Sequence, residues 1–192
     1  GVVLILGFAN LIGDGISMAL GNYLSTKSEI EYVNKERERE EWEVENVPEG
    51  EKEEIKQIYR KKGFSGKDLD RAVEIITSDK KRWVDTMMHE ELKLDNEDKS
   101  PVKSSIATFL SFFCVGLIPL ISFLLTAIFP GLIMNTFAIS ISLTALALFT
   151  VGAMRTFVTG RHWLKSGFEM LLIGSIAAFA AYLVGYLLKG VA

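Results

Sequence analysis

The sequence predicts an all-α, polytopic membrane protein with a helical soluble domain inserted between its membrane helices. Three observations carry that expectation. Four apolar stretches, residues 1–24 and roughly 102–128, 132–154 and 166–188, are long enough to cross a bilayer. A helix needs about 20 residues to span about 30 Å of hydrocarbon at about 1.5 Å per residue. Charge is segregated: residues 27–99 hold 16 Lys/Arg and 22 Asp/Glu, a net of −6, whereas the rest holds 5 and 2, a net of +3. Finally, 49% hydrophobic residues and a mean hydropathy of +0.26 are too apolar on average for an ordinary soluble domain. The chain divides into a membrane helix at 1–26, an acidic cytosolic domain at 27–99, and three membrane helices within 100–192.

The first span is rich in small residues, from Gly7 and Ala9 to Ala19 and Gly21, which let helices approach closely in lipid. No proline interrupts residues 1–47. One helix is therefore expected to leave the membrane and continue to about Glu45, ending at Asn46-Val-Pro-Glu-Gly50. A second helix is expected over about Glu49–Lys62, stopped by Gly63, and a third from Ser65-Gly66 on the spacing of Leu69, Val73 and Ile76. Ser78-Asp79 is suited to cap a fourth, about 79–93. Asp95 to Pro101 reads as a polar linker, Pro119 as a kink in the next span, and Pro130-Gly131 as an outer turn.

The chain starts at Gly1, without an initiator Met and already inside an apolar segment, so a preceding segment is expected. Its start lacks the basic region and cleavage site of a secretory leader. Lys27, Lys99 and Lys103 flank the acidic domain, and Arg155, Arg161 and Lys165 fill the last connection. The connection at 129–135 is uncharged. The positive-inside rule therefore places the acidic domain and the 155–165 connection in the cytosol. The single cysteine, Cys114, lies within a span and allows no intrachain disulfide.

The chemistry is concentrated between Glu40 and Glu54. Two Glu-x-x-Glu pairs, Glu40/Glu43 and Glu51/Glu54, flank a Pro-Gly turn. A three-residue step puts both carboxylates of each pair on one helical face. An acidic helical run is ordinarily a solvated face, with Lys35, Arg37 and Arg39 as i,i+4 partners toward Glu31 and Glu43. Against that stands the excess of acid over base here, which repels unless cations intervene, and the repetition of one spacing on both sides of one turn. Met87 and Met88 form an apolar stripe with Trp83 and Val84, so core packing is the plain alternative to metal ligation. Met88 and Glu91, three apart, bring a thioether and a carboxylate to one face. Carboxylates alone suit Mg²⁺, Ca²⁺ or Mn²⁺, and a thioether shifts preference toward Fe²⁺, Co²⁺ or Zn²⁺. His89 could join them.

Within the first span, Asp14 and Met18 lie four apart on one face. An ionisable group at membrane depth is a functional candidate. Glu169 near the last span has Lys165 as a simple partner. There is no Gly-rich phosphate loop, Ser/His/Asp arrangement, zinc-spaced His pair or basic nucleic-acid patch, so neither an ATP-driven pump nor an enzyme is expected.

Four segments together resemble the vacuolar iron transporter family, which includes the yeast calcium-cross-complementing type of iron/manganese transporter. They are Gly13-Asp-Gly-Ile-Ser-Met-Ala-Leu-Gly-Asn-Tyr-Leu-Ser25, the repeated Glu-x-x-Glu array, Met87-Met88-x-x-Glu91, and Gly167-Phe-Glu-Met-Leu-Leu-Ile-Gly174. The resemblance implies a homodimer with five membrane helices per subunit and a cytosolic helical metal-binding domain. It implies exchange of protons for Fe²⁺, in some members Mn²⁺, Co²⁺ or Zn²⁺, out of the cytosol into a vacuole-like compartment or across the cell membrane. By position, Glu40, Glu43, Glu51, Glu54, Met87, Met88 and Glu91 correspond to the family's cytosolic ligands, and Met18 to its pore methionine, with Asp14 one turn away. The family's first membrane helix has no counterpart, so the span at 1–26 corresponds to the second. The expectation is thus a proton-coupled Fe²⁺ transporter with no organic cofactor. The rivals are a membrane-anchored metal buffer or sensor and a structural protein whose acidic stalk binds a basic partner.

Overall fold

The computed structural model describes residues 1–94, 99–129, 131 and 135–189, and these are helical almost throughout. In chain order they form α1 (Val2–Asn46), α2 (Pro48–Lys61), α3 (Gly66–Thr77), α4 (Lys80–Glu90), α5 (Pro101–Ile128), α6 (Thr136–Met154), α7 (Thr156–Thr159) and α8 (Trp163–Leu188). There is no strand among the described residues. Helices α1, α5 and α8, and α6 continued through α7, are each long and apolar enough to cross a membrane.

Local chemistry explains the boundaries. α1 runs unbroken for 45 residues, about 68 Å, because nothing in it removes a backbone donor. It stops where Pro48 disfavours helical backbone at Val47, and the same proline then opens α2 at a position that needs no donor. Glu49 in the first turn of α2, with Arg60 and Lys61 in its last, complements its dipole. Gly63, at φ +99°, turns the chain away. Asp79 caps α4, its carboxylate accepting from the Arg82 N–H at 2.8 Å, while Ser78 closes α3. α4 ends at Glu90, earlier than the sequence suggests, so Glu91 is its C-cap. α5 passes through Pro119 without a break, and the Ser122 and Ser140 hydroxyls donate to the Pro119 carbonyl at 3.2 and 3.0 Å. Residues 95–98 of the expected linker, Pro130 of the expected outer turn and residues 132–134 lie outside the described residues.

The chain forms two compact units: Gly1–Met18 with Ala107–Ala192, and Ala19–Ile106. In the first, the small residues of α1 seat side chains of α5. A methyl at Gly7 would lie 2.6 Å from Leu120, and one at Gly15 3.1 Å from Phe109. Reciprocally, Leu11 is buried over Gly116. A Thr126–Thr136 hydroxyl bond of 2.9 Å joins α5 to α6, the kind of polar link that bundles use in lipid. α6 and α8 meet at Gly152, where a Cβ would lie 2.6 Å from both the Met170 Cβ and the Ser166 carbonyl. The second unit packs α2, α3, α4 and the polar half of α1 around Val44, Ile55, Ile76, Trp83, Val84, Met87 and Met88.

Because backbone rather than a flexible side-chain end blocks Gly152, Gly152→Leu is expected to separate α6 from α8, with the 1–3 kcal/mol typical of overpacking as a lower bound. Gly185, with open space around it, serves as the control. Thermal melts of the detergent-purified protein should show a lowered midpoint for Gly152→Leu and little change for Gly185→Ala.

Candidate metal centre

Three helices of the second unit each carry an apolar stripe in which glutamate takes one place. On α1 the stripe is Val33, Glu40, Val44, on α2 it is Glu51, Ile55, Ile58, and on α4 Trp83 and Met87 lead to Glu91. Residues four or seven apart share a helical face, so Glu40 and Glu51 are carried inward with their neighbours, whereas Glu91 sits at the C-cap of α4. Glu40 and Glu51 are accordingly buried, 3% and 6% exposed, in the same class as the core residues beside them. Glu43 is half-buried, and Glu54 and Glu91 are exposed.

The five carboxyl groups act on one another electrostatically. Burial, then Glu91 and Glu43, pushes Glu40 up to about 7. Burial, then Glu54 and Glu40, pushes Glu51 up to about 7 as well. Glu91 is raised by partial loss of water and by the charge of the neighbouring Glu54. Oε2 of Glu40 and Oε2 of Glu51 are buried with no hydrogen-bond partner. A buried acceptor left unpaired is unfavourable by about 1–3 kcal/mol, and an unpaired buried charge by far more. The arrangement therefore favours protons or an added cation. Among the described residues no three His, Cys, Asp or Glu side chains already stand gathered around one point as a metal group. Electrostatic reach is longer than the 2.0–2.6 Å of metal–oxygen bonds, so binding requires the carboxylates to turn inward.

Cross-helix ion pairs hold the helices in place. Arg37 donates to Asp85 at 2.6 Å, tying α1 to α4. Lys80 pairs with Glu45, and Lys62 with Glu90, which lowers the Glu90 carboxyl below its usual range. Arg39 bonds Glu43 at 3.1 Å within α1 and stays firmly charged. Two sequence expectations change here. Arg37 reaches across to α4 instead of pairing along α1, and Glu169 pairs with Arg155 at 3.1 Å instead of with Lys165. In both cases helix packing offers a partner at better geometry than the neighbour in sequence.

Met87 and Met88 are 0% and 3% exposed in the core cluster, the placement that an apolar stripe requires. His89 lies exposed on α4, outside that cluster. In the membrane unit, Asp14 and Met18 lie on the exposed surface of α1, Met18 at 48%. Asp14 has no ion-pair partner among the described residues. What the spacing alone misses is which glutamates are buried. The signal lies in the apolar stripes that Glu40 and Glu51 interrupt.

The sign of the pH effect follows from the raised carboxyls. Unfolded, Glu40 and Glu51 lose their protons near 4.5, and folded near 7. Their contribution to stability is complete below about 4.5 and is lost as pH rises through about 7. Metal-free protein should therefore melt at a lower temperature at pH 8 than at pH 5, and Glu40→Gln with Glu51→Gln should flatten that dependence. A wild-type midpoint that rises between pH 5 and pH 8 would contradict the assignment.

Comparison with known proteins agrees with the family resemblance. Residues 1–186 match the VIT family. A vacuolar iron transporter of Plasmodium berghei (strain Anka) is 39% identical over 193 residues, covering 97% of this chain and 71% of that protein. One from Toxoplasma gondii is 38% identical, covering 97% of this chain and 64% of that protein. Vacuolar iron transporter 1 of Arabidopsis thaliana is 34% identical over 182 residues, covering 94% and 71%. With a family match across nearly its whole length and relatives at this identity, the chain belongs to the VIT family.

Proposed function

We propose that this chain carries ferrous iron across a membrane, loading it at the acidic unit from the cytosol in exchange for protons. The observation that supports this most is the pair of buried, unpartnered carboxyls, Glu40 and Glu51, in a chain that also has four membrane-length helices. The names of the relatives, vacuolar iron transporters, point the same way. On this reading Glu40, Glu43, Glu51, Glu54 and Glu91 supply the oxygens. Met88, aided by Met87, supplies a thioether that hard ions such as Mg²⁺ do not use. Mn²⁺, Co²⁺ and Zn²⁺ are secondary cargoes.

Binding requires deprotonated ligands, so an ion entering the site expels protons from Glu40 and Glu51, which couples metal capture to pH. Asp14 and Met18 then offer the next carboxylate and thioether, on a face of α1 that a second copy would complete as a homodimer. The destination is a vacuole-like compartment or the far side of the cell membrane, with the acidic unit facing the cytosol. Carboxylate and thioether ligands exchange faster than thiolates, as release demands.

Anaerobic calorimetry on the full chain in detergent should show saturable Fe²⁺ binding that survives excess Mg²⁺. Repeating it in buffers of different ionisation enthalpy should show protons released with each ion. Glu40→Gln with Glu51→Gln should abolish binding. Met88→Leu, which keeps the core volume, should lose the preference for Fe²⁺ over Mg²⁺ by tenfold or more, about 1.4 kcal/mol. In proteoliposomes, Fe²⁺ should accumulate against an imposed proton gradient. Binding without uptake would favour a membrane-anchored buffer, and absent binding would overturn the reading.

A further inference from the structure

α6 continued through α7, and α8, are both of membrane-crossing length and apolarity, so the junction between them lies at a bilayer surface. That connection, residues 155–162, exposes its apolar side chains more than any other part of the described chain. Phe157 and Val158 are 89% and 90% exposed. They are not on a frayed loop, because α7 fixes their backbone. The Gly160 N–H donates to the Thr156 carbonyl at 2.9 Å, and the Thr159 hydroxyl to the Arg155 carbonyl at 3.0 Å. Gly160, at φ +65°, takes the left-handed conformation that lets the chain turn directly into α8.

The charge around this pair is of one sign. Residues 155–168 contain Arg155, Arg161 and Lys165 and no Asp or Glu. Arg155 is engaged with Glu169, while Arg161 and Lys165 have no acidic partner among the described residues. The first turn of α8 has neither an acidic residue nor a side-chain cap, so its N–H groups add positive potential beside those bases. Trp163, 51% exposed, sits between them and packs edge-on against Phe149, as an interfacial aromatic does. Exposed apolar residues flanked by unpaired bases and a tryptophan, at the level of a bilayer surface, match an anionic phospholipid: acyl chain below, phosphate above.

We propose that residues 155–165 form an anionic-phospholipid-binding element, with Phe157 and Val158 in the acyl region and Arg161 and Lys165 on the headgroup phosphate. A lipid bound there fastens the α6–α8 corner to the leaflet.

The test titrates the detergent-purified full chain with fluorescent phosphatidylserine or phosphatidylcholine of matched chains. A base near an anionic surface is worth about fivefold in affinity, so two predict a roughly 30-fold preference for phosphatidylserine. Arg161→Gln with Lys165→Gln should remove most of that preference, and Phe157→Ser with Val158→Ser should weaken both lipids. All four positions are exposed, and circular dichroism checks that the variants fold. Equal binding of the two lipids, or a preference unchanged in the Arg161/Lys165 variant, would overturn the proposal. So would displacement of phosphatidylserine by excess inorganic phosphate alone. If the Phe157/Val158 variant instead dissociates an oligomer on size exclusion, the surface belongs to a second copy and the lipid assignment fails.

Discussion

Two carboxyl groups buried among other carboxyls, Glu40 and Glu51, set the terms for the acidic unit. Each leaves an oxygen with no hydrogen-bond partner, and around both the other carboxyls outweigh any basic group, Arg39 beside Glu40 included. An isolated buried carboxylate is unfavourable enough that it takes up a proton instead. The unit tolerates this because its core lies on the same stripes: Val44 one turn after Glu40, Ile55 one turn after Glu51, and Met87 one turn before Glu91. Fully burying one such side chain contributes about 1.5–3 kcal/mol, so a few offset the unpaired oxygens. The pairs Arg37–Asp85, Lys80–Glu45 and Lys62–Glu90 then fix how the helices meet, and with them the distances among the carboxyls.

Much of the fold was legible in the sequence. The unbroken α1, the break at Pro48, the Asp79 cap and the apolar spans each follow from a local rule about donors, caps or hydrophobic length. The site was legible only as a set of candidates. Spacing treats Glu40 and Glu43, or Glu51 and Glu54, as equivalent, yet packing buries the first of each pair and leaves the second more exposed. Arg37 and Asp85 are 48 residues apart, and no local rule finds such a pair. Glu169 shows the same limit, since its partner is set by how α6 and α8 pack.

The membrane unit obeys a different physics. There, close approach at Gly7, Gly15 and Gly152 and hydroxyl bonds such as Thr126–Thr136 do what apolar burial does in the acidic unit. Asp14 is the exception, an ionisable group on an exposed apolar helix. With Met18 it repeats, at lower ligand count, the carboxylate-and-thioether chemistry proposed for Glu91 and Met88.

The central claim is that Glu40 and Glu51 stay partly protonated up to about pH 7 and surrender those protons to a divalent cation. Infrared difference spectroscopy of metal-free against Fe²⁺-loaded protein at pH 7 tests this directly. The account predicts that a protonated-carboxyl stretch disappears on loading while carboxylate bands grow, and that Glu40→Gln with Glu51→Gln removes the signal. A metal-free spectrum without a protonated carboxyl band, or one that Fe²⁺ leaves unchanged, would contradict it.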